Sequence, residues 1–514
     1  MRATIDRVEG RSLKSGVLVI VVQIAIIASF LAVAIAYPSF YHHPEGYIYP
    51  VCVALLFLFA WTLLSWGALT GNWFDPYTLF IIAAFAFNAG LAFLEVFHVN
   101  KDGILGGLFS PTLILQTLLL VTIGLTAFHS GALLVAFLMG ERATPVSSDR
   151  SLEQEGRPLR VVGWTLIAIA VVPTMIVLKQ SIATVNSLGY GGLFQQQISA
   201  GLGAWSSILS AFLVPGSLFL LAGSRQKRLG KYVSFGIILV YCALLFFLGE
   251  RGHAIMPILA YLWLFHRVVR RVPVTAIAVF ALLLLVFVIP MLSVFRSATG
   301  PERYSWSEVV RAFKSVKNPA LAGLAEMGGS MQTVAYTIEL VPSTRAYDMG
   351  DSYYYATLTA VPNFFWRVHP AVARGLASDW LIREVDPFTA GLGGGLGYSF
   401  IAEAYLNFGW WGVPLVLGLI GLLFGGFVLW AGRSGDIARL ATVASFLSFF
   451  LLFARGEAAL VVRALVWYSI LPYLAVLYLR HAAALKERTV MSNLDEPYAA
   501  GGWPPAARPE ERSR

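Results

Sequence analysis

The sequence predicts an all-α polytopic membrane protein with about 12 transmembrane helices and one large helical loop on its outer side. Three observations predict it. Hydrophobic residues make up 58% of the 514, well above the share in soluble domains. They gather in repeated runs long enough to cross the ~30 Å hydrocarbon layer of a bilayer. Basic residues are sorted between those runs, as orientation in a membrane requires. The runs are continuous rather than alternating, so a membrane β-barrel is excluded.

In chain order, Met1 to Ser15 is a basic head (Arg2, Arg7, Arg11, Lys14) before a first span at 17–38. That span is longer than a signal-peptide core and lacks a cleavage pattern, so it reads as retained. Further spans fall near 49–69, 77–97, 112–138, 161–178, 205–224, 232–249, 254–270, 273–293, 411–430, 438–455 and 461–480. An even number places both ends on one side. The chain divides into spans one to nine (1–293), a large loop (294–410), spans ten to twelve (411–480) and a tail (481–514) whose Gly/Pro-rich end reads as disordered and cytoplasmic.

Charge supports this orientation. Of the 37 basic residues, 23 lie in segments that the count puts inside, and the short outer loops hold only Lys101, Lys179, Arg251, Arg455 and Arg463. The remaining nine lie in the long loop, a segment length largely exempt from the orientation rule. Net charge is +9, but the basic residues sit in short clusters between spans, which excludes nucleic-acid binding. Cys52 and Cys242 both fall inside apolar spans, so no disulfide framework is indicated. Asn88 and His129 are the main deep polar groups. A lone histidine among apolar neighbours reads as a satisfied core residue, and so few mid-span charges argue against a proton-driven transporter.

The long loop carries nine basic and ten acidic residues, too balanced for a lipid-binding polybasic arm. Ser305-x-x-Glu308 is a capping box opening a helix whose apolar face is Trp306, Val309, Val310, Phe313 and Val316. Glu326, Ser330, Thr333 and Thr337 then recur as a polar stripe, expected to be a solvent-facing edge. The most informative stretch runs from Gly391 to Trp411. Its glycines permit a sharp turn or close backbone approach, and Ser399, Glu403 and Asn407 follow at i, i+4, i+8, so one helix face carries hydroxyl, carboxylate and amide. Gly409 is placed to end that helix. Trp410 and Trp411 then stand where an interfacial aromatic belt belongs.

Arg251, Arg296, Arg455 and Arg463 converge on the outer boundary, with Arg303 just inside the loop. Locally paired, snorkelling arginines (Glu250 with Arg251, Glu457 with Arg455) are the bland alternative. Several on the disfavoured side favour phosphate binding, because guanidinium offers phosphate a planar fork and keeps its charge. A sugar transfer from a lipid diphosphate needs cations for the leaving group, a base for the acceptor hydroxyl and groups that orient sugars. Arg251, Arg296 and Arg455 suit the first role; Glu403, Glu326 or His253 the second; Ser399, Tyr405, Asn407 and Gln332 the third. Asp348-x-x-Asp351 has the wrong spacing for an Asp-x-Asp metal motif and reads as a turn, so neither a metal nor another cofactor is expected.

Three runs carry a resemblance: Glu326-Met-Gly-Gly-Ser330, Tyr347-Asp-Met-Gly-Asp-Ser-Tyr353 leading to Val361-Pro362, and Gly395-Leu-Gly-Tyr-Ser-Phe-Ile-Ala-Glu403-Ala-Tyr-Leu-Asn407-Phe-Gly409. Together with Arg251 and Arg455-Gly456 they resemble the Wzy-type polymerases of bacterial O-antigen and exopolysaccharide, over roughly 245–460. The resemblance implies a GT-C-like glycosyltransferase of the inner membrane with its large loop in the periplasm. It implies a substrate of undecaprenyl-diphosphate-linked oligosaccharide, delivered by a flippase, and a chain-length regulator as a further partner. An O-antigen ligase shares this topology, and a lipid-linked sugar flippase is the alternative from another class. The Glu403–Gly409 run favours the polymerase; sparse mid-span charge and the large outer loop disfavour the flippase.

Overall fold

The computed structural model describes residues 16–30, 32, 42–100, 103–139, 152–195, 202–284, 318–363 and 366–499. Arg296, Arg303 and the helix expected from Ser305 lie outside them, as does the side chain of Arg251. Every regular element among the described residues is helical. Among the described residues nine helices are long and apolar enough to cross a membrane: α2 (Glu45–Thr70), α3 (Pro76–Val96), α4 (Pro111–Met139), α5 (Glu155–Leu188), α6 (Trp205–Gly223), α7 (Arg228–Leu248), α14 (Phe400–Gly432), α15 (Ile437–Arg455) and α16 (Ala458–Thr489). Before and between them stand α1 (Gly16–Phe30), α8 (Arg251–Val268) and α9 (Val274–Leu283). The loop contributes α10 (Pro319–Gly328), α11 (Met331–Leu340), α12 (Asp351–Leu358) and α13 (Ala377–Val385).

Three of the twelve expected spans are thus not long apolar helices among the described residues. Those at 17–38 and 273–293 are described only in part, as α1 and α9. The third, α8, is 18 residues long and carries His253 near its start and His266 and Arg267 in its last turn, which shorten its apolar run. At the other end, α16 runs on as helix to Ala499, beyond the span expected to end at 480, because Ala, Leu, Lys, Glu and Arg in 481–488 are strong helix formers.

The core sits where α4 and α14 cross. These two form the most extensive helix pair, and glycine makes it possible. A Cβ on Gly131 would stand 1.9 Å from the Gly418 carbonyl oxygen, and one on Gly421 would stand 1.9 Å from that of Phe128. Close backbone approach replaces the hydrophobic driving force that is missing between helices in lipid. Beside this seam Phe80, Phe424 and Phe450 interlock, with ring centroids 4.6 Å (Phe80–Phe450) and 4.1 Å (Phe424–Phe450) apart. On the opposite side of α14, Trp411, Leu415, Leu419 and Leu423 form an exposed apolar stripe at helical spacing.

The deep polar groups are satisfied, as expected of core residues. His129 lies 2.8 Å from Ser65 Oγ through Nε2 and 2.7 Å from Tyr77 Oη through Nδ1. Asn88 donates to the carbonyls of Ala84 and Ala454, at 2.9 and 2.8 Å. The polar stripe after Glu326 differs from expectation. Gly329 and Ser330 divide it between two helices, α10 and α11. Glu326 stays exposed, but Ser330, Thr333 and Thr337 are buried. They turn inward because hydroxyls can spend their hydrogen bonds on nearby backbone: Thr333 donates to Ser330 O and Thr337 to Thr333 O, at 2.7 and 2.6 Å.

Candidate active site

The Gly391–Trp411 stretch is the bracket on which the site is mounted. Ser399 caps α14, its Oγ accepting from Ile401 N–H at 3.1 Å and donating to Asn88 Oδ1 at 2.6 Å. One turn on, Glu403 is wholly buried; Oε1 accepts from Ser352 Oγ and Oε2 from Ala458 N–H, each at 2.8 Å. One turn further, Asn407 Nδ2 donates to Ser352 Oγ at 2.7 Å and Oδ1 accepts from Gly350 N–H at 3.0 Å. The three residues do share a helix face. That face meets protein on its whole length and opens on neither of the cavities described below.

Gly409 completes the bracket. Its φ of 63° and ψ of −156° interrupt the helix within α14, a conformation open to glycine. The break releases the carbonyls of the preceding turn. Asp348 N–H donates to Leu406 O at 3.0 Å and Met349 N–H to Asn407 O at 3.1 Å. With Gly350 N–H on the Asn407 side chain, three successive amides pin one turn of the loop to the end of a buried helix segment.

Asp348, on that turn, organises an arginine-bearing cavity of about 540 Å³ lined by Arg345, Asp348, Asp351, Tyr355, Arg374 and their neighbours. Arg345 Nη2 donates to both carboxylate oxygens of Asp348, at 2.7 and 3.0 Å, and Nε donates to Oδ1 at 3.1 Å. Arg374 Nη2 donates to Asp348 Oδ2. The Arg345 guanidinium lies 4.5 Å over the Trp380 ring and that of Arg374 5.6 Å over Tyr355. Asp348 is 9% exposed and is outnumbered by the two guanidiniums it holds. Asp351, the other acid of the lining, is exposed, so water screens its charge. The lining therefore sets two guanidiniums against one shielded and one exposed carboxylate, with guanidinium donors to spare.

Behind this cavity, Glu457 accepts from Ala377 N–H at 2.9 Å and Ser378 N–H at 3.1 Å, capping α13 just beyond Arg374. Burial pushes its carboxyl above the ordinary range, while those amides and the Arg374 charge pull it back. Glu457, whose pairing with Arg455 is the bland alternative above, thus reaches across to the start of α13. Arg455 lies beside Gly397, whose added Cβ would stand 2.9 Å from its Nη2, and 5.5 Å over the Phe87 ring. Tyr405 is 3% exposed and donates to Val341 O at 3.3 Å. Arg463 Nε donates to Thr359 O at 2.9 Å. His253 belongs elsewhere, in a second cavity, with Nδ1 3.1 Å from Glu250 Oε2.

Sequence reasoning passes over Arg345, Asp348 and Arg374. Asp348 enters only through a rejected metal motif and the Tyr347–Tyr353 run, yet Arg345-x-x-Asp348 is a spacing at which a turn brings fork and carboxylate together. Nothing local signals Arg374, which reaches Asp348 across 26 residues.

A helical, multi-pass membrane protein with an arginine-bearing cavity in the segment before α14 is the class that fold and site define. The family model of the O-antigen polysaccharide polymerase Wzy matches residues 17–486, nearly the whole chain, and the protein belongs to that family of membrane polymerases of polysaccharide repeat units. No curated protein matches, and no solved structure does.

Proposed function

We propose that the protein moves a growing glycan from undecaprenyl diphosphate onto the next lipid-linked repeat unit, at the periplasmic face of the bacterial inner membrane. The observation that carries this reading is the Arg345–Asp348–Arg374 cluster in a chain of this family. Glycosyl transfer releases a diphosphate, and donors fixed in advance where that charge develops stabilise the transition state without reorganising. Asp348 holds both forks in place, and the rings of Trp380 and Tyr355 support their planes. A volume of about 540 Å³ is that of an ordinary ligand pocket, enough for a diphosphate with its first sugar while the polyprenyl tail stays in lipid. In this reading Arg455 and Arg251 add positive charge near the same boundary, and the flippase and chain-length regulator act before and beside this step.

Purified protein in nanodiscs, given only lipid-linked repeat units, tests the reading. The expected product is a ladder of longer lipid-linked chains. A requirement for a different acceptor would make the protein a ligase, and unchanged chain length would remove the polymerase assignment.

A further inference from the structure

The second cavity, about 300 Å³, lies among α6, α7, α8, α15 and the start of α16. Its lining includes Ser210, Tyr241, Ser448, Phe449, Glu250 and His253. Hydroxyl partners and an aromatic face suit a sugar ring, whose edges carry O–H groups and whose faces carry C–H groups. The sharp turn from α7 into α8 brings Glu250 and His253 together. Gly249 adopts φ 88° there, accepted readily by glycine. The imidazole side chain keeps 60% of its exposure and the Glu250 side chain 23%.

Three groups are candidates for the base. Glu403 is sealed, and both its oxygens already accept hydrogen bonds. Glu326 lines neither cavity. His253 is accessible, lines a cavity and is held through Nδ1. A carboxylate accepting from Nδ1–H leaves the Nε2 lone pair free for a proton. A short connection of the chain links the surroundings of the two cavities. Leu452 and Leu460, which line the second, flank the connection from which Glu457 reaches α13 behind Arg374.

We propose that this second cavity receives the acceptor sugar, with His253 as the catalytic base and Glu250 as its positioning residue. The inference rests on the polymerase reading and adds the acceptor half of the reaction. The acceptor hydroxyl forms a bond from its oxygen to the anomeric carbon of the donor while His253 Nε2 takes the hydroxyl proton. The bond from that carbon to the diphosphate oxygen breaks, and the electron pair leaves with the lipid diphosphate held by Arg345 and Arg374. The imidazolium then returns its proton to water.

The test uses full-length protein in nanodiscs with lipid-linked repeat units, comparing His253→Ala, His253→Gln, Glu250→Gln and Arg374→Ala. His253→Ala is expected to slow extension at saturating substrate by at least about a hundredfold, with binding of the lipid-linked unit retained and added imidazole restoring extension. His253→Gln guards against misfolding of the smaller variant and should be equally slow. Glu250→Gln should lower kcat roughly tenfold and leave KM unchanged, a split that a collapsed cavity would not produce. Normal ladders from both His253 variants, with Arg374→Ala inactive, would overturn the acceptor site and leave the donor reading standing. Loss of extension with no rescue by imidazole and a raised KM would also overturn it, by making His253 structural. If Arg374→Ala extends chains like the wild type, the donor reading falls, and this inference falls with it.

Discussion

At the scale of single residues, the arginine pair and Glu403 make opposite predictions. Arg345 and Arg374 each keep guanidinium donors beyond those bound to Asp348, so each is expected to contact the leaving group. Removing a charge-assisted hydrogen bond costs about 1.5–3 kcal/mol, so Arg374→Ala should weaken binding of the lipid-linked unit or its transfer by at least about tenfold. Titrating purified variants with lipid-linked unit checks this. Asp348→Asn keeps the shape but removes the charge that holds both forks, and its loss should approach that of the Arg374 variant. Glu403→Gln differs. A base contributes about a hundredfold or more, whereas a sealed carboxylate bonded to Ser352 and Ala458 acts through the position of the loop. The geometry therefore predicts a loss below about tenfold in extension rate, together with a lower melting temperature in detergent. A hundredfold loss with unchanged melting would return Glu403 to the chemistry.

At the scale of elements, α14 performs two separate jobs on the two sides of Gly409. Its longer part is pressed against α4 with glycine facing backbone, and Gly421→Val would drive a branched side chain into the Phe128 carbonyl, whose oxygen stands 1.9 Å from even a Cβ. Overpacking of that kind typically costs ~1–3 kcal/mol, so the variant should show reduced abundance in membranes by quantitative immunoblot. Its shorter part, from Phe400 to Phe408, carries the bracket. The spacing of Ser399, Glu403 and Asn407 made this part legible in the sequence, and Gly409 marked its end. What spacing leaves open is whether a polar helix face meets water, substrate or other protein; here it meets the amides of Gly350 and Ala458 and the Ser352 hydroxyl. The same ambiguity misplaces the α11 stripe, where Thr333 and Thr337 point inward. Helices α13 and α12 are too short for periodicity to announce, and the partner that caps α13, Glu457, lies 80 residues away from Ala377.

At the scale of the whole molecule, the nine long apolar helices and the helices of the loop found among the described residues agree with the class of fold read from composition and charge. The arrangement of basic residues predicts that both termini face the cytoplasm. Reporter fusions at residue 15 and residue 500 should both give cytoplasmic signals, and a fusion within the loop near Phe388, which is 78% exposed, should give the opposite one. The loop also explains why composition reaches the fold but not the site. Membrane solubility constrains every residue of a span, whereas the cavity depends on a handful of contacts between segments far apart in sequence. One of those contacts bears on how such an enzyme diversifies. Asp348 and Met349 are fastened to Leu406 and Asn407 through main-chain atoms alone, so the exposed Met349 side chain takes no part in the fastening. An exchange at that outward position would leave Asp348 and the two guanidiniums it holds at their post, so the turn can vary its exposed face without surrendering its grip.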